Sequence, residues 1–393
     1  MFREDVLHRV STPSPRGSGR AHSSPAVSGQ LTFERPPKRV LVVVTRRIGD
    51  VLLATPVVRS LKAAWPETKV DMLVFSGTEG FITANPDIHR IFTIPERPTR
   101  LDHVRLLARL FRRYDLALSL VPGDRPTLYA FLAGRRRAGL LIDSRKHWWK
   151  RALLNAWVPF DGLNTHTVLM HLAILETIGI AAVREVVAAF SAAGSAAAKS
   201  ALSGVGNARY AVLHPSPKFR YKMWHEKGWS EVGKWLAQEG LRIVITGGPD
   251  SAEREYAARV AGRIDNAIDL SGRLSLGVLA AVLSDAALYI GPDTAVTHAA
   301  AALGIPTIAI YGPSDPVKWG PWPAGYTLPR NPWRRHGDQQ VNRVRLIQGR
   351  ARCVPCMNEG CERHVESASD CLEHLSPLAV IAAAREFAGA SVR

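Results

Sequence analysis

The chain has no apolar run approaching the ~18–20 residues that a membrane-spanning helix needs. Its amino terminus, MFREDVLHRVSTPSPRG, lacks the apolar core of a secretory signal. Both absences lead to the expectation of a cytoplasmic protein. No two aspartates stand at i and i+2, so there is no Asp-x-Asp pair to hold a divalent cation on a diphosphate. Neither a G-x-x-x-x-G-K-[ST] loop nor a G-x-G-x-x-G fingerprint occurs, which weakens kinase and dehydrogenase readings. Cysteine is absent before residue 353, which argues against a disulfide framework. Acidic residues are few: 34 Asp and Glu against 51 Lys and Arg, a net charge of +17. No zinc-finger, RRM or helix-turn-helix signature accompanies that charge, so nucleic acid is not the expected partner.

The same charge suits another anion, a phosphorylated glycolipid or an anionic membrane surface; an ordinary basic surface would also account for it. At 393 residues, 46% hydrophobic and 22% charged, the chain can fill two ordinary domains. Residues 1–37 are rich in Ser, Pro, Gly and Arg and read as a disordered basic tail. From residue 38 the pattern alternates strand and helix. Strands are expected at 39–45, 69–75, 91–94, 116–121 and 140–142, and helices at 51–65, 101–113, 127–133 and 166–175. The Ala- and Ser-rich region around 181–206 carries few motifs and marks a boundary. Strands at 210–214, 241–246 and 267–270 then alternate with helices at 229–239, 251–263 and 276–283. The stretch 285–316 is a further βαβ unit, with Asp293 placed as the helix N-cap. Residues 319–352 read as irregular and basic, and a last helix covers 377–387. The domains expected are 38–185, a linker region 186–207, and 208–375, followed by 376–393. Both are α/β, Rossmann-like and doubly wound, and they face a central cleft.

The helix after the strand at 286–290 aims its free N–H groups at the cleft, a place that favours phosphate. Thr294 and His298 share a face of that helix; the plain alternative is a buried crossover helix with a satisfied histidine. Asp50 follows the first strand, across the presumed cleft from Asp293. It can be a general base or the N-cap of the helix starting at 51. The loop HPSPKFRYKMW carries Lys218, Arg220 and Lys222, cations for a diphosphate or a solvated loop. Gly247-Gly248 and Ser271-Gly272 end strands on the same edge, as close-approach points or as plain turns. Arg46, Arg47, Arg105, Arg109, Arg135, Arg136 and Arg137 are the candidates for acceptor phosphates or headgroups, any of which can also be ordinary surface. Cys353, Cys356, Cys361 and Cys371 are spaced C-x2-C-x4-C-x9-C. That spacing suits a structural zinc site, or else reduced or locally paired thiols.

RRIGDVLLATPVVRSLKAAWPETKVDMLV at 46–74 and YIGPDTAVTHAAAALGIPTIAIYGPSDPVKWGP at 289–321 resemble the opening and the donor-site signature of the heptosyltransferase family, glycosyltransferase family 9. Lys222-x-Trp224, the glycine pair and the tail CVPC…C…CLEHLSP match too, so the similarity spans about 38–390. The resemblance implies a GT-B fold and inverting transfer from a nucleotide-sugar, usually ADP-heptose, with no cofactor required for the chemistry. It implies a phosphorylated lipopolysaccharide inner core as acceptor, at the cytoplasmic face of the inner membrane. On that reading Asp50 is the base. Lys222 contacts the donor phosphates, and Asp293, Thr294 and His298 hold phosphate and sugar. The last helix would cross back onto the first domain. Pro292-Asp293-Thr294-Ala295 departs from the family's usual Asn-Asp-Ser/Thr-Gly, and Ala295 would add a methyl near the donor. The alternatives are a GT-B transferase using another nucleotide sugar for a different cell-surface glycan, and a non-catalytic nucleotide- or glycan-binding GT-B protein.

Overall fold

The computed structural model describes residues 27–390. Two sheets, parallel but for one pair in the second, are each flanked by helices, and the halves meet through helices. The first holds β1 (Arg39–Val44), β2 (Lys69–Phe75), β3 (Arg90–Ile94), β4 (Tyr114–Ser119), β5 (Gly134–Leu141) and β6 (Ala156–Pro159). They run parallel in the order β3-β2-β1-β4-β5-β6, the order of doubly wound dinucleotide folds. β1, RVLVVV, is buried at all but its first residue, as a central parallel strand covered on both faces must be. The second sheet contains β7 (Tyr210–Leu213), β8 (Arg242–Ile245), β9 (Ile268–Asp269), β10 (Leu288–Pro292), β11 (Thr307–Tyr311), β12 (Gln339–Val341) and β13 (Val344–Gln348). Its order is β12-β13-β11-β10-β7-β8-β9, and only the β12–β13 pair is antiparallel.

That pair corrects the reading of 319–352 as irregular. Asn342 turns the hairpin in a left-handed conformation, and β13 pairs along β11 from Thr307 to Tyr311. Arg345 among its apolar residues, with Arg343 in the turn before it, hid the strand. Likewise the run Arg135, Arg136, Arg137 lies inside β5 rather than in a lead-in loop.

The expected linker is ordered. Val183 N–H donates to Ser60 Oγ (2.8 Å), Val187 N–H to Thr55 Oγ1 (2.9 Å) and Ala189 N–H to Phe81 O (2.9 Å), all on the first half. The helix Ala192–Ala201 then packs on the helix Leu276–Ser284 of the second half. A return strap follows the helix Pro316–Trp319. His166 Nε2 donates to Gly320 O (2.8 Å), and its Nδ1 accepts from Val168 N–H (3.1 Å). Trp322 packs 4.9 Å from the His166 ring and donates to Arg184 O (2.7 Å).

Two expectations for the termini change. Residues 27–37 are not a free tail: Ser28 and Trp157 exchange backbone hydrogen bonds, Leu31 N–H donates to Thr177 O, and Phe33 meets the Trp65 ring edge-on at 5.7 Å. Residues 1–26 lie outside the described ones. The helix Pro377–Ala390 does not cross to the first half. Val380, Ile381, Ala383 and Ala384 are buried against the second half, and Arg385 stacks on Trp235. Trp224 fixes the approach by donating to Leu375 O (3.0 Å), so the apolar stripe of the helix meets the nearest sheet.

Burial pushes His166 down to about 3 and His214 down to about 4, and lowers His171 and His298 as well. The native state keeps them neutral, whereas the unfolded chain protonates them near the usual ~6.5. Below that pH the unfolded state binds more protons, so stability falls as pH falls. A histidine so depressed removes about 2 kcal/mol between pH 7 and pH 5. Urea midpoints should therefore drop clearly over that interval; equal midpoints would contradict the burial argument.

Candidate active site in the interdomain cleft

In parallel sheets the loops at the carboxyl ends of the strands meet the ligand. Here those ends carry the Arg46–Asp50 turn after β1 and, in the second half, His214 after β7, Gly247 after β8, Ser271 after β9, Asp293 after β10 and Gly312 after β11. The site is built on Asp293. Lys222 Nζ lies 2.5 Å from its Oδ2, the Tyr311 hydroxyl donates to Oδ1 at 3.3 Å, and His298 Nε2 stands 3.9 Å from Oδ1. Burial works to raise this carboxyl, but Lys222, His298 and the Ser314 hydroxyl together hold it below its ordinary value. Burial, then Asp293, drives the Tyr311 phenol well above its own.

Asp293 is not the N-cap. Thr294 takes that role, its hydroxyl accepting from Thr297 N–H at the start of the helix Ala295–Ala302. Asp293 is thereby free to turn toward Lys222. His298 is buried and kept neutral mainly by that burial, against the pull of Asp293. Its Nδ1 is buried with no hydrogen-bond partner among the described residues. It is a polar atom left for a ligand.

Asp50 is not an N-cap either. The helix Ile48–Leu52 starts from Arg47 with no side-chain cap, and Asp50 sits in its first turn, 7% exposed. This helix packs on Ala295–Ala302 across the cleft. A side-chain carbon on Gly49 would lie 3.5 Å from His298 Cδ2 and 3.9 Å from Ala295 Cβ. The approach is an ordinary van der Waals one, with room for a methyl group. It also places the Ala295 methyl against the opposite half, so the departure from the family pattern shapes the domain contact.

The structure thus brings Asp50, Lys222, Asp293, Thr294, Ala295 and His298 together. Gly247, Gly248, Ser271 and Gly272 line the same edge further along. Gly248 N–H is taken by Glu253 Oε2 (2.9 Å), and Gly272 has φ +69°, which suits glycine. Arg46 is exposed beside the Asp50 turn, and Arg47 stacks on Phe219 of the opposite half at 4.8 Å. The remaining arginines are elsewhere. Arg105 and Arg109 lie on the outer helix Arg100–Leu110. Arg135, Arg136 and Arg137 open β5 at the amino edge of the sheet, where Arg136 covers Phe33 and Arg137 covers Phe131.

The four cysteines are free, and Cys371 is buried. Its thiol is pushed up to about 12, by burial first and then by the other three thiols. No group of three or more His, Cys, Asp or Glu among the described residues is arranged to hold a metal, so the zinc expectation is not supported. The segment has a different structural part. Ser369 donates to Tyr221 O (2.7 Å) beside Lys222, and Leu372 covers Gly312, so it buttresses the Lys222 loop and the turn after β11.

Sequence reading missed Tyr311, Ser314, Glu253 and Lys318. Lys318 lies inside the signature stretch at 289–321, and its place in the cleft depends on the return strap.

Two doubly wound domains meeting at a cleft, with a helix start and a lysine–aspartate pair facing a carboxylate, define a GT-B transferase scaffold. The chain belongs to glycosyltransferase family 9 (heptosyltransferase), whose model matches residues 104–345. Lipopolysaccharide heptosyltransferase 3 of Escherichia coli K12 is 29% identical over 286 residues, covering 70% of this chain and 82% of that protein. A family 9 glycosyltransferase from Veillonella parvula superposes with a TM-score of 0.72 at 19% identity, covering 89% of this chain and 97% of that one. An E. coli heptosyltransferase solved with ADP gives 0.67 at 21% identity, covering 89% and 99%. The protein is therefore a glycosyltransferase, and the fold expected from the resemblance is the one observed.

Removing one partner of the buried pair isolates its electrostatics. Lys222→Ala strands the Asp293 carboxylate and should cost about 3–5 kcal/mol. The double change Lys222→Met with Asp293→Asn should recover much of that loss. Denaturant unfolding of the three proteins reads both values, and equal losses in the single and double variants would contradict the pairing.

Proposed function

We propose that the protein transfers heptose from ADP-heptose to a phosphorylated lipopolysaccharide inner-core acceptor, with inversion at the anomeric carbon. The observation that carries this reading is Asp50 standing across the Gly49–His298 contact from the Lys222–Asp293 pair. The names of the relatives supply the rest: a lipopolysaccharide heptosyltransferase and a heptosyltransferase solved with ADP.

In this mechanism the Asp50 carboxylate takes the proton of an acceptor hydroxyl as that oxygen attacks the anomeric carbon. The bond to the diphosphate breaks on the opposite side. Lys222 turns from Asp293 to the departing ADP, and the first turn of Ala295–Ala302 adds its N–H groups. Asp293 and the open Nδ1 of His298 hold the sugar hydroxyls. Gly247, Gly248, Ser271 and Gly272 border the nucleotide. The acceptor lies on the first half near Arg46 and Arg47. Arg135, Arg136 and Arg137, at the opposite edge, drop out of the acceptor set.

An anionic membrane surface fits the outer helices of the first half. Leu101, Val104, Phe111 and Trp148 are between 53% and 69% exposed there, among Arg100, Arg105, Arg109, Arg112 and Arg113. Apolar anchors within basic surroundings are the signature of an interfacial protein. No helix among the described residues is long and apolar enough to cross a membrane.

Asp50→Asn should lower turnover by about 10²–10⁴-fold while ADP still stabilises the protein against heat. Retained turnover would remove Asp50 as base. In a thermal-shift screen ADP-heptose should stand apart from GDP-, UDP- and dTDP-sugars. Another sugar leading would favour a different glycan, and binding without any turnover would favour a non-catalytic role. Wild type should co-sediment with phosphatidylglycerol vesicles in a salt-dependent way, and the Leu101→Ser/Trp148→Ser variant should stay in the supernatant. Equal sedimentation of the two would remove this face from the membrane contact.

A further inference from the structure

The helix Pro316–Trp319 carries Lys318 from the second half over the first. Its backbone is fixed there: the Thr167 hydroxyl donates to Lys318 O (3.1 Å), and His166 holds Gly320 two residues on. The side chain runs between aromatic rings, with Nζ 5.7 Å from the Phe160 centroid and 5.1 Å from that of Trp319. A side-chain carbon on Gly162 would lie 3.4 Å from that nitrogen. The ammonium is partly buried and forms no ion pair among the described residues.

The neighbouring carboxylates are engaged elsewhere. Asp161 accepts from Leu163 N–H, Asn164 N–H and the Thr165 hydroxyl. Asp315 accepts from Val317 N–H and pairs with Arg335 at 2.8 Å. Burial lowers the Lys318 pKa, Asp50 is the strongest opposing influence, and Arg46 adds a like charge. A cation drawn out of water without a partner is costly, so such a site favours an incoming anion.

We propose that Lys318, with Arg46, binds an anionic substituent of the acceptor, a phosphate or a carboxylate, beside the hydroxyl that Asp50 deprotonates. The inference rests on the transferase reading above and deepens it. Lys318 belongs to the acceptor end because it lies against Phe160 and Gly162 of the first half. The donor end already has its cation in Lys222, held by Asp293. Lys318 is a binding residue contributed by the donor half to the acceptor pocket, so both halves must be in contact for the acceptor to be read.

The test uses the deacylated, phosphorylated inner-core oligosaccharide, a phosphatase-treated form and a carboxyl-reduced form. Binding to wild type, Lys318→Met and Lys318→Arg is measured by calorimetry without donor. Lys318→Met should bind the intact oligosaccharide about tenfold more weakly or worse. Lys318→Arg should recover most of the affinity, and ADP affinity should stay within twofold throughout. Wild type should lose at least a similar factor on one of the two treated forms, and Lys318→Met should lose clearly less on that form, only what Arg46 still contributes. Which form behaves so tells phosphate from carboxylate. In transfer assays the change should fall on the acceptor KM more than on kcat. Additive losses on both treated forms, or a loss of ADP affinity, would overturn the assignment. A wild type that binds in this Lys318-dependent way but transfers nothing from ADP-heptose would overturn the donor reading alone. Unchanged acceptor KM in an active Lys318→Met enzyme would overturn the present inference alone.

Discussion

The buried carboxylate of Asp293 governs the organisation of this cleft. A charge at 7% exposure persists only with partners, and these come from separate segments. Lys222 arrives on the loop after β7, Tyr311 at the end of β11, Ser314 in the turn beyond it, and His298 from the helix that begins beside the aspartate. Each segment is held in turn. The Lys222 loop is held by Ser369 of the cysteine segment, and Tyr311 donates also to Trp319 O (2.6 Å), where the return strap starts. Satisfying one charge therefore fixes three strand ends and the strap that follows the last of them.

The second constraint is the contact between halves. The Ile48–Leu52 and Ala295–Ala302 helices pack on one another at Gly49, where a side-chain carbon would meet His298 at an ordinary van der Waals distance. Gly80 makes a tighter approach nearby, where a side-chain carbon would stand 2.5 Å from Leu276 Cβ. One apolar cluster runs through both halves, from β1 and β2 to Leu279, Val296 and Trp322. Asp50 and the Lys222–Asp293 pair are thereby set on opposite sides of the domain contact by packing, before any ligand binds.

Much of this was legible in the sequence, because period-2 and period-3.6 patterns with glycine and proline stops mark βαβ units well. The residues gathered around Asp293 were picked out for the same reason: they sit where strands stop. Their local roles were misjudged. Asp50 and Asp293 both look like helix caps, since a carboxylate before a helix caps by default. Thr294 supplies the cap beside Asp293, and the helix holding Asp50 starts three residues earlier, so both acids are released. The β12–β13 hairpin was hidden among basic and polar residues, and the last helix was found at its place but expected on the wrong half, an expectation carried over from the family. Arg135, Arg136 and Arg137 show the limit of charge counting: a basic run has no functional direction until its strand fixes which edge it occupies.

Lys318 marks what sequence patterns cannot encode. Its neighbours Phe160, Gly162 and Thr167 lie about 150 residues upstream, and nothing local links them. They meet because neutral His166 donates one ring nitrogen to Gly320 and accepts with the other, which clamps the strap to the first half. Protonating that ring would make both nitrogens donors and turn one against the Val168 N–H. The burial that keeps His166 neutral also keeps Lys318 in register with Asp50. The cleft residues of the two halves are thus tied to the interface that positions them. A change loosening the His166 clamp would separate Lys318 from Asp50 while leaving the Lys222–Asp293 pair intact, because that pair lies wholly within the second half.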